Sequence, residues 1–142
     1  MNDFGTFFLI LISITIFYVY LENKAVDVTY VTNGGREYLV RNLDDKEQAA
    51  KLLSDICSRL SKLVDHLHTN KDNSNYSDDK KNGIKRMKKN FKPNNVVESS
   101  PGNKYTSYSI NKGEKIVFCI RSKDSSNNLV DLNTMMFVAI HE

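Results

Sequence analysis

Residues 4–21, FGTFFLILISITIFYVYL, run for 18 positions without a charged side chain. So long an uncharged run leaves three outcomes: a membrane-spanning helix, a cleaved signal peptide, or a helix buried on every face. As a helix it spans about 27 Å, against a hydrocarbon core of roughly 30 Å. Tyr18 and Tyr20 lie at its C-terminal border, where aromatic side chains favour the headgroup region. No Lys or Arg precedes Phe4 and no A-x-A pattern follows Leu21, which argues against a signal peptide. An all-apolar core helix is out of place at the extreme terminus. The expectation is an uncleaved transmembrane anchor over residues 1–23, partnered by the lipid bilayer and carrying a small domain over 24–142. Lys24, Arg36 and Arg41 put the positive flank after the run, and so the domain of this single-pass membrane protein on the cytosolic side.

The rest of the chain is patterned for an α+β domain with a short antiparallel sheet and packed helices. VDVTYVTNGGREYLVRNL has β-rich runs on both sides of Asn33-Gly34, which supply the positive-φ residues of a tight turn. The reading is a hairpin over 28–32 and 37–41, or a single strand preceded by a turn. Asp44 and Glu47 have capping-box spacing. Ala49, Leu52, Leu53, Ile56, Leu60, Leu63, Val64 and Leu67 then recur at three- and four-residue steps, predicting a core-packing helix of about 23 residues. His66 and His68 close it; two apart, they do not share a helix face and so do not pair on a metal. A polar loop follows. Ile84, Met87 and Phe91 then predict a short amphipathic helix ended by Pro93. A second hairpin is predicted from 105–110 and 115–121 around Asn111-Lys112-Gly113. The last segment is an apolar helix capped by Asp131 or Asn133. Cys57 and Cys119 each sit in an apolar run and read as buried thiols.

The net charge of +3 is local. Lys80 to Lys92 holds 7 of the 20 basic residues and no acidic one, leaving 13 basic against 17 acidic elsewhere. The plain reading is a helix with a solvated basic side. The sharper one is contact with anionic lipid headgroups beside the anchor. No aromatic interleaving or motif points to specific nucleic-acid binding.

The chain stops at MMFVAIHE. His141-Glu142 is how the zinc-protease motif H-E-x-x-H begins. There, two histidines four apart on one helix face hold the metal, and the glutamate takes a proton from its bound water. In its order of elements, and in YTSYSINKGEKIVFCIRSKDSSNNLVDLNTMMFVAIHE above all, the chain resembles zincin-type metallopeptidases of the WLM and SprT-like families and related membrane-anchored viral proteins. The resemblance covers roughly residues 37–142 and implies a zincin-like domain. It makes His141 the first zinc ligand and Glu142 the catalytic general base. The second histidine and the third ligand are absent, so the chain resembles the N-terminal part of such a protein, cut at the motif. It implies a membrane-anchored zinc metalloprotease-like protein acting on a protein or peptide substrate. The parent would hold zinc, while this chain would bind no zinc tightly and be inactive. The other reading of His141-Glu142 is a polar chain terminus. The rival function is a non-enzymatic, single-pass interaction module acting through residues 80–92.

Overall fold

The computed structural model describes residues 3–23, 28–72, 74–101, 103, 106–124 and 126–141. The uncharged run forms helix α1, Asp3–Asn23. Among the described residues, no helix is long and apolar enough to cross a membrane. Thr6, Ser13 and Thr15 interrupt its apolar surface; Ser13 donates to the Leu9 carbonyl and Thr15 to those of Leu11 and Ile12. The anchor over 1–23, the single-pass membrane location and the bilayer as partner are therefore corrected to an exposed apolar helix, with Phe7, Leu9, Ile14 and Phe17 open to solvent. Lys24, part of the orientation argument, lies outside the described residues.

The domain is α+β. Strands β1 (Val28–Asn33) and β2 (Arg36–Arg41) form an antiparallel hairpin. Its turn uses Gly34 and Gly35, with φ of +58° and +78°, so Asn33 stays in β1 opposite Arg36. The two glycines are needed because both central residues take the left-handed conformation. Tyr38 and Val40 point inward from β2 and lie under helix α2, Lys46–Thr69. The period of α2 does what its sequence predicts. Ala49, Leu53, Ile56, Leu60 and Val64 are buried, and Ala50 and Cys57 widen the stripe. The capping box does not form: Asp45 is the N-cap residue, and its side chain makes no cap hydrogen bond.

Helix α3, Asp78–Asn90, begins six residues before Ile84. Ser77 accepts from the Lys80 amide at its start, and Asp78 and Asp79 favour the positive end of the helix dipole. A 3-10 turn over Pro93–Asn95 leads into β3, Val96–Glu98. β4 (Tyr108–Ile110) and β5 (Lys115–Phe118) complete a sheet of order β3-β5-β4. β4–β5 is the predicted hairpin, turning through Asn111, Lys112 and Gly113 at positive φ. β3 pairs parallel to β5, so the sheet is mixed and not purely antiparallel. Ile116, Val117 and Phe118 are all buried, as a strand covered on both faces requires. Helix α4, Leu132–His141, packs on α2 through Met135 and Ala139. Asp131 caps it, accepting from the Asn133 and Thr134 amides and the Thr134 hydroxyl. These bonds, led by the hydroxyl, hold the Asp131 carboxyl below its usual pKa. The all-round apolar pattern of α4 predicts full burial, yet Phe137 is 78% exposed and Ile140 65%.

Candidate functional site

The histidines do not converge. His141 ends α4 and is exposed; Glu142 lies outside the described residues, and with it the proposed catalytic pairing. His66 and His68 close α2, with Asn70 Nδ2 lying 3.4 Å from His66 Nδ1. Among the described residues, no group of three or more His, Cys, Asp and Glu side chains could hold a metal ion. Zinc as cofactor, and a membrane-anchored zinc metalloprotease as the function, are corrected on this ground. Holding zinc takes three or four donors within about 2.3 Å of one point, and the chain's imidazoles are on different helices or different faces of one.

The basic segment is partly neutralised by its own surroundings. Lys81 pairs with Asp78, Lys88 with Asp65 on α2, and Lys80 lies over the Tyr76 ring at 4.5 Å. With no membrane-spanning helix among the described residues, the tether that would bring residues 80–92 to anionic headgroups is also gone. This corrects the lipid-headgroup contact and the single-pass interaction module together.

Two concave regions lie at opposite ends of β5. The first is a groove of about 440 Å³ between α2, α3, the β4–β5 turn and α4. Its walls are Leu60, Leu63, Val64 and Leu67 from α2, Met87 and Phe91 from α3 and its C-cap, Ile116 from β5, and Ala139 and Ile140 from α4. The size falls in the range of small-molecule sites, as does the apolar lining with few polar groups. The charged residues lining it are Arg86 and Lys112, and no carboxylate lines it. Each element has a local reason for its place. Leu63 and Leu67 continue the stripe of α2 beyond the sheet, so they stay half-buried where the stripe's earlier members are covered. Gly83 keeps the α3 wall low: a Cβ there would meet nothing within 4 Å. The tight turn at Lys112 and Gly113 brings Gly113 against Phe91, whose Cα would lie 3.6 Å from an added Cβ. The only part of this site marked in the sequence is the periodicity of α2 and α3; the groove itself depends on how the helices diverge.

The second is a polar cleft of about 310 Å³ where β3 and β5 end. Its base is Arg121, 3% exposed at the side chain. Arg121 Nε donates to Glu98 Oε1 at 2.6 Å, and Nη1 donates to Asp45 Oδ2 at 2.7 Å and to the Asn127 carbonyl at 3.1 Å. Glu98 Oε2 accepts from the Arg41 amide at 2.7 Å. This network explains the missing cap at α2: the Asp45 carboxylate is turned to Arg121. Burial opposes the charge on Arg121, but its bonds to Asp45 and Glu98 outweigh that and raise its pKa above the usual value. The bond from Arg121 holds the Asp45 carboxyl below the usual carboxylate range.

Comparison with known proteins adds one relative and no assignment. No family model matches the chain, and no solved structure matches it. It is 35% identical over 136 residues to an uncharacterized protein of Acanthamoeba polyphaga mimivirus, an alignment covering 94% of this chain. The chain spans 66% of that relative's length.

Proposed function

We propose that this domain is a non-catalytic binding module whose groove takes an apolar molecule bearing one anionic group. The observation that carries this is the groove's composition: a 440 Å³ apolar space whose charged lining residues are Arg86 and Lys112. An apolar body displaces water from Leu63, Leu67, Met87 and Ile140, at roughly 25 cal/mol per Å² buried. The anionic end meets Arg86 and Lys112 at the rim, where a charge-assisted hydrogen bond fixes orientation. Neither step requires a reactive side chain.

The test is titration of the purified chain with decanoate and with decanol below their aggregation limits. Saturable binding of decanoate, weaker for decanol, is expected. Arg86→Glu should abolish that preference and leave decanol binding in place. Gly83→Leu should weaken both ligands by filling the groove. Absence of saturable binding to either ligand would end this reading. The likeness to WLM and SprT-like proteins stands beside it as a proposal about the descent of the fold, supported by the sequence of a helix behind a small sheet and a final helix ending in His141. It assigns no metal and no chemistry to this chain.

A further inference from the structure

Among the described residues, no side chain of α1 joins the hydrophobic core of the domain. Thirteen of its large apolar side chains are 39–67% exposed. At roughly 100 Å² open on each, this surface is on the order of 1,300 Å². The largest apolar patch on a typical monomer is about 300–600 Å², and a larger one marks an interaction site. We infer that α1 pairs with α1 of a second copy of this chain, as a parallel, in-register, two-stranded coiled coil.

The face that pairs is set by the shape of the helix. A shallow hollow of about 500 Å³ runs along one side of α1, lined by Thr6, Leu9, Ile10, Ser13, Ile14 and Phe17. In a coiled coil, each residue at a or d enters a hole made by four residues of the facing helix. With Ile10 and Phe17 at a, Thr6 and Ser13 fall at d, Leu9 at g and Ile14 at e. In a parallel pair the a residue enters a hole bounded by the preceding d and g, its own counterpart and the next d. For Ile10 those are Thr6, Leu9, Ile10 and Ser13 of the second copy. The d residue enters a hole bounded by a, d, e and the next a. For Ser13 those are Ile10, Ser13, Ile14 and Phe17. Together the two holes are made by the six residues that line the hollow.

The chemistry of the seam suits a second copy. The run 4–21 carries no charge, so in-register pairing sets no like charges against each other. A β-branched residue at a, as Ile10 is, favours two strands. Ser13 already donates to the Leu9 carbonyl at 2.9 Å, so its hydroxyl enters a dry seam with its donor satisfied. The area is also sufficient. Half of the open surface on each of two copies buries about 1,300 Å² in total, within the roughly 1,200–2,000 Å² of a stable, specific interface.

The experiment combines sedimentation equilibrium of the whole chain with cysteine cross-linking along α1. The expected mass is that of two 16.3 kDa chains. Cross-linking uses a chain that also carries Cys119→Ser, so that the remaining native thiol, Cys57, is buried. Ile10→Cys and Ser13→Cys should each form a disulfide-linked dimer on mild oxidation, because a and d residues meet their own counterparts in a parallel pair. Thr15→Cys should not, since two positions along a helix it points about 160° away from Ser13. Ile10→Glu should weaken association by at least about a hundredfold, through burial of charge in the seam, while Thr15→Glu keeps the two-chain mass. A single-chain mass, whether the chain is free or bound to lipid vesicles, would overturn the inference. So would cross-linking as efficient at Thr15 as at Ser13, which is the pattern of unspecific clustering, or a mass of three or more chains.

Discussion

Arg121 and Glu98 are joined by a 2.6 Å hydrogen bond between side chains that are 3% and 2% exposed. The pair ties the end of β3 to the segment after β5. Through Asp45 and the Arg41 amide it also reaches the start of α2 and the end of β2. Removing Glu98 leaves the buried guanidinium with Asp45 as its remaining carboxylate and the Arg41 amide without its acceptor, which costs more than the pair contributes when intact. Glu98→Ala should therefore destabilise the domain by about 3 kcal/mol, read from urea unfolding. Replacing both residues with Met should cost clearly less than the single change. A Glu98→Ala loss no larger than that of an exposed surface change would show that the network is not the clasp described here.

Asp45 gives the clasp a pH dependence with a definite sign. Its folded pKa lies below the ordinary value of 3.8, chiefly because Arg121 donates to it. A carboxylate with a depressed folded pKa stabilises the fold fully above its unfolded pKa, and that contribution is lost as pH falls through the folded value. The stability gap between the native chain and Asp45→Asn should be constant from pH 7 to about 5 and close below about 4. Urea midpoints measured at pH 6 and pH 3 provide the check. A gap that widened in acid would reverse the assignment.

How much of this was legible depends on the range of the interactions involved. The stripe Ala49, Leu53, Ile56, Leu60 and Val64 is local, and it announces α2 through its period alone. Gly34-Gly35 and Asn111-Lys112-Gly113 likewise announce their turns, because positive φ is a property of single residues. β3 is silent: it has three residues, one of them a glutamate, and it is a strand only because β5 lies beside it. Arg121 reads as the polar end of a strand. Its partners are 23 and 76 positions away, and no spacing rule connects Asp45, Glu98 and Arg121. The capping box at Asp44 and Glu47 looks sound locally, but α2 starts one residue later, from an Asp45 N-cap whose carboxylate goes to that distant arginine. In α4 an all-apolar surface implies full burial, but neighbours cover only the side with Met135 and Ala139.

Gly83 lies within α3 at a negative φ, with open space where a Cβ would point. A helical glycine in that setting costs roughly 0.5–1 kcal/mol relative to alanine, through the freedom of the unfolded chain. Gly83→Ala should raise the thermal midpoint by a few degrees, and a methyl group is too small to close the groove. Decanoate binding should therefore survive it. A lowered midpoint would mean that α3 does not form over this stretch.

The two cysteines should separate cleanly by reactivity. Cys57 is fully buried between α2 and the 3-10 turn, with its Sγ 3.6 Å from the Pro93 carbonyl oxygen. Burial pushes its thiol up to about 11, so at pH 8 roughly one molecule in a thousand carries the reactive thiolate. Cys119 is only half-buried and lines the polar cleft, its Sγ donating to the Arg121 carbonyl at 3.5 Å. Ellman's reagent at pH 8 should titrate one thiol in the native chain and two in guanidinium chloride. Cys119→Ser should abolish the native reaction, whereas Cys57→Ser should leave its rate unchanged. Because Cys57 becomes accessible only when α2 lifts from the sheet, its residual labelling should slow in step with any stabilising change, Gly83→Ala included. Fast native labelling at Cys57 would mean that the core beneath α2 is open, and would overturn the packing described for that helix.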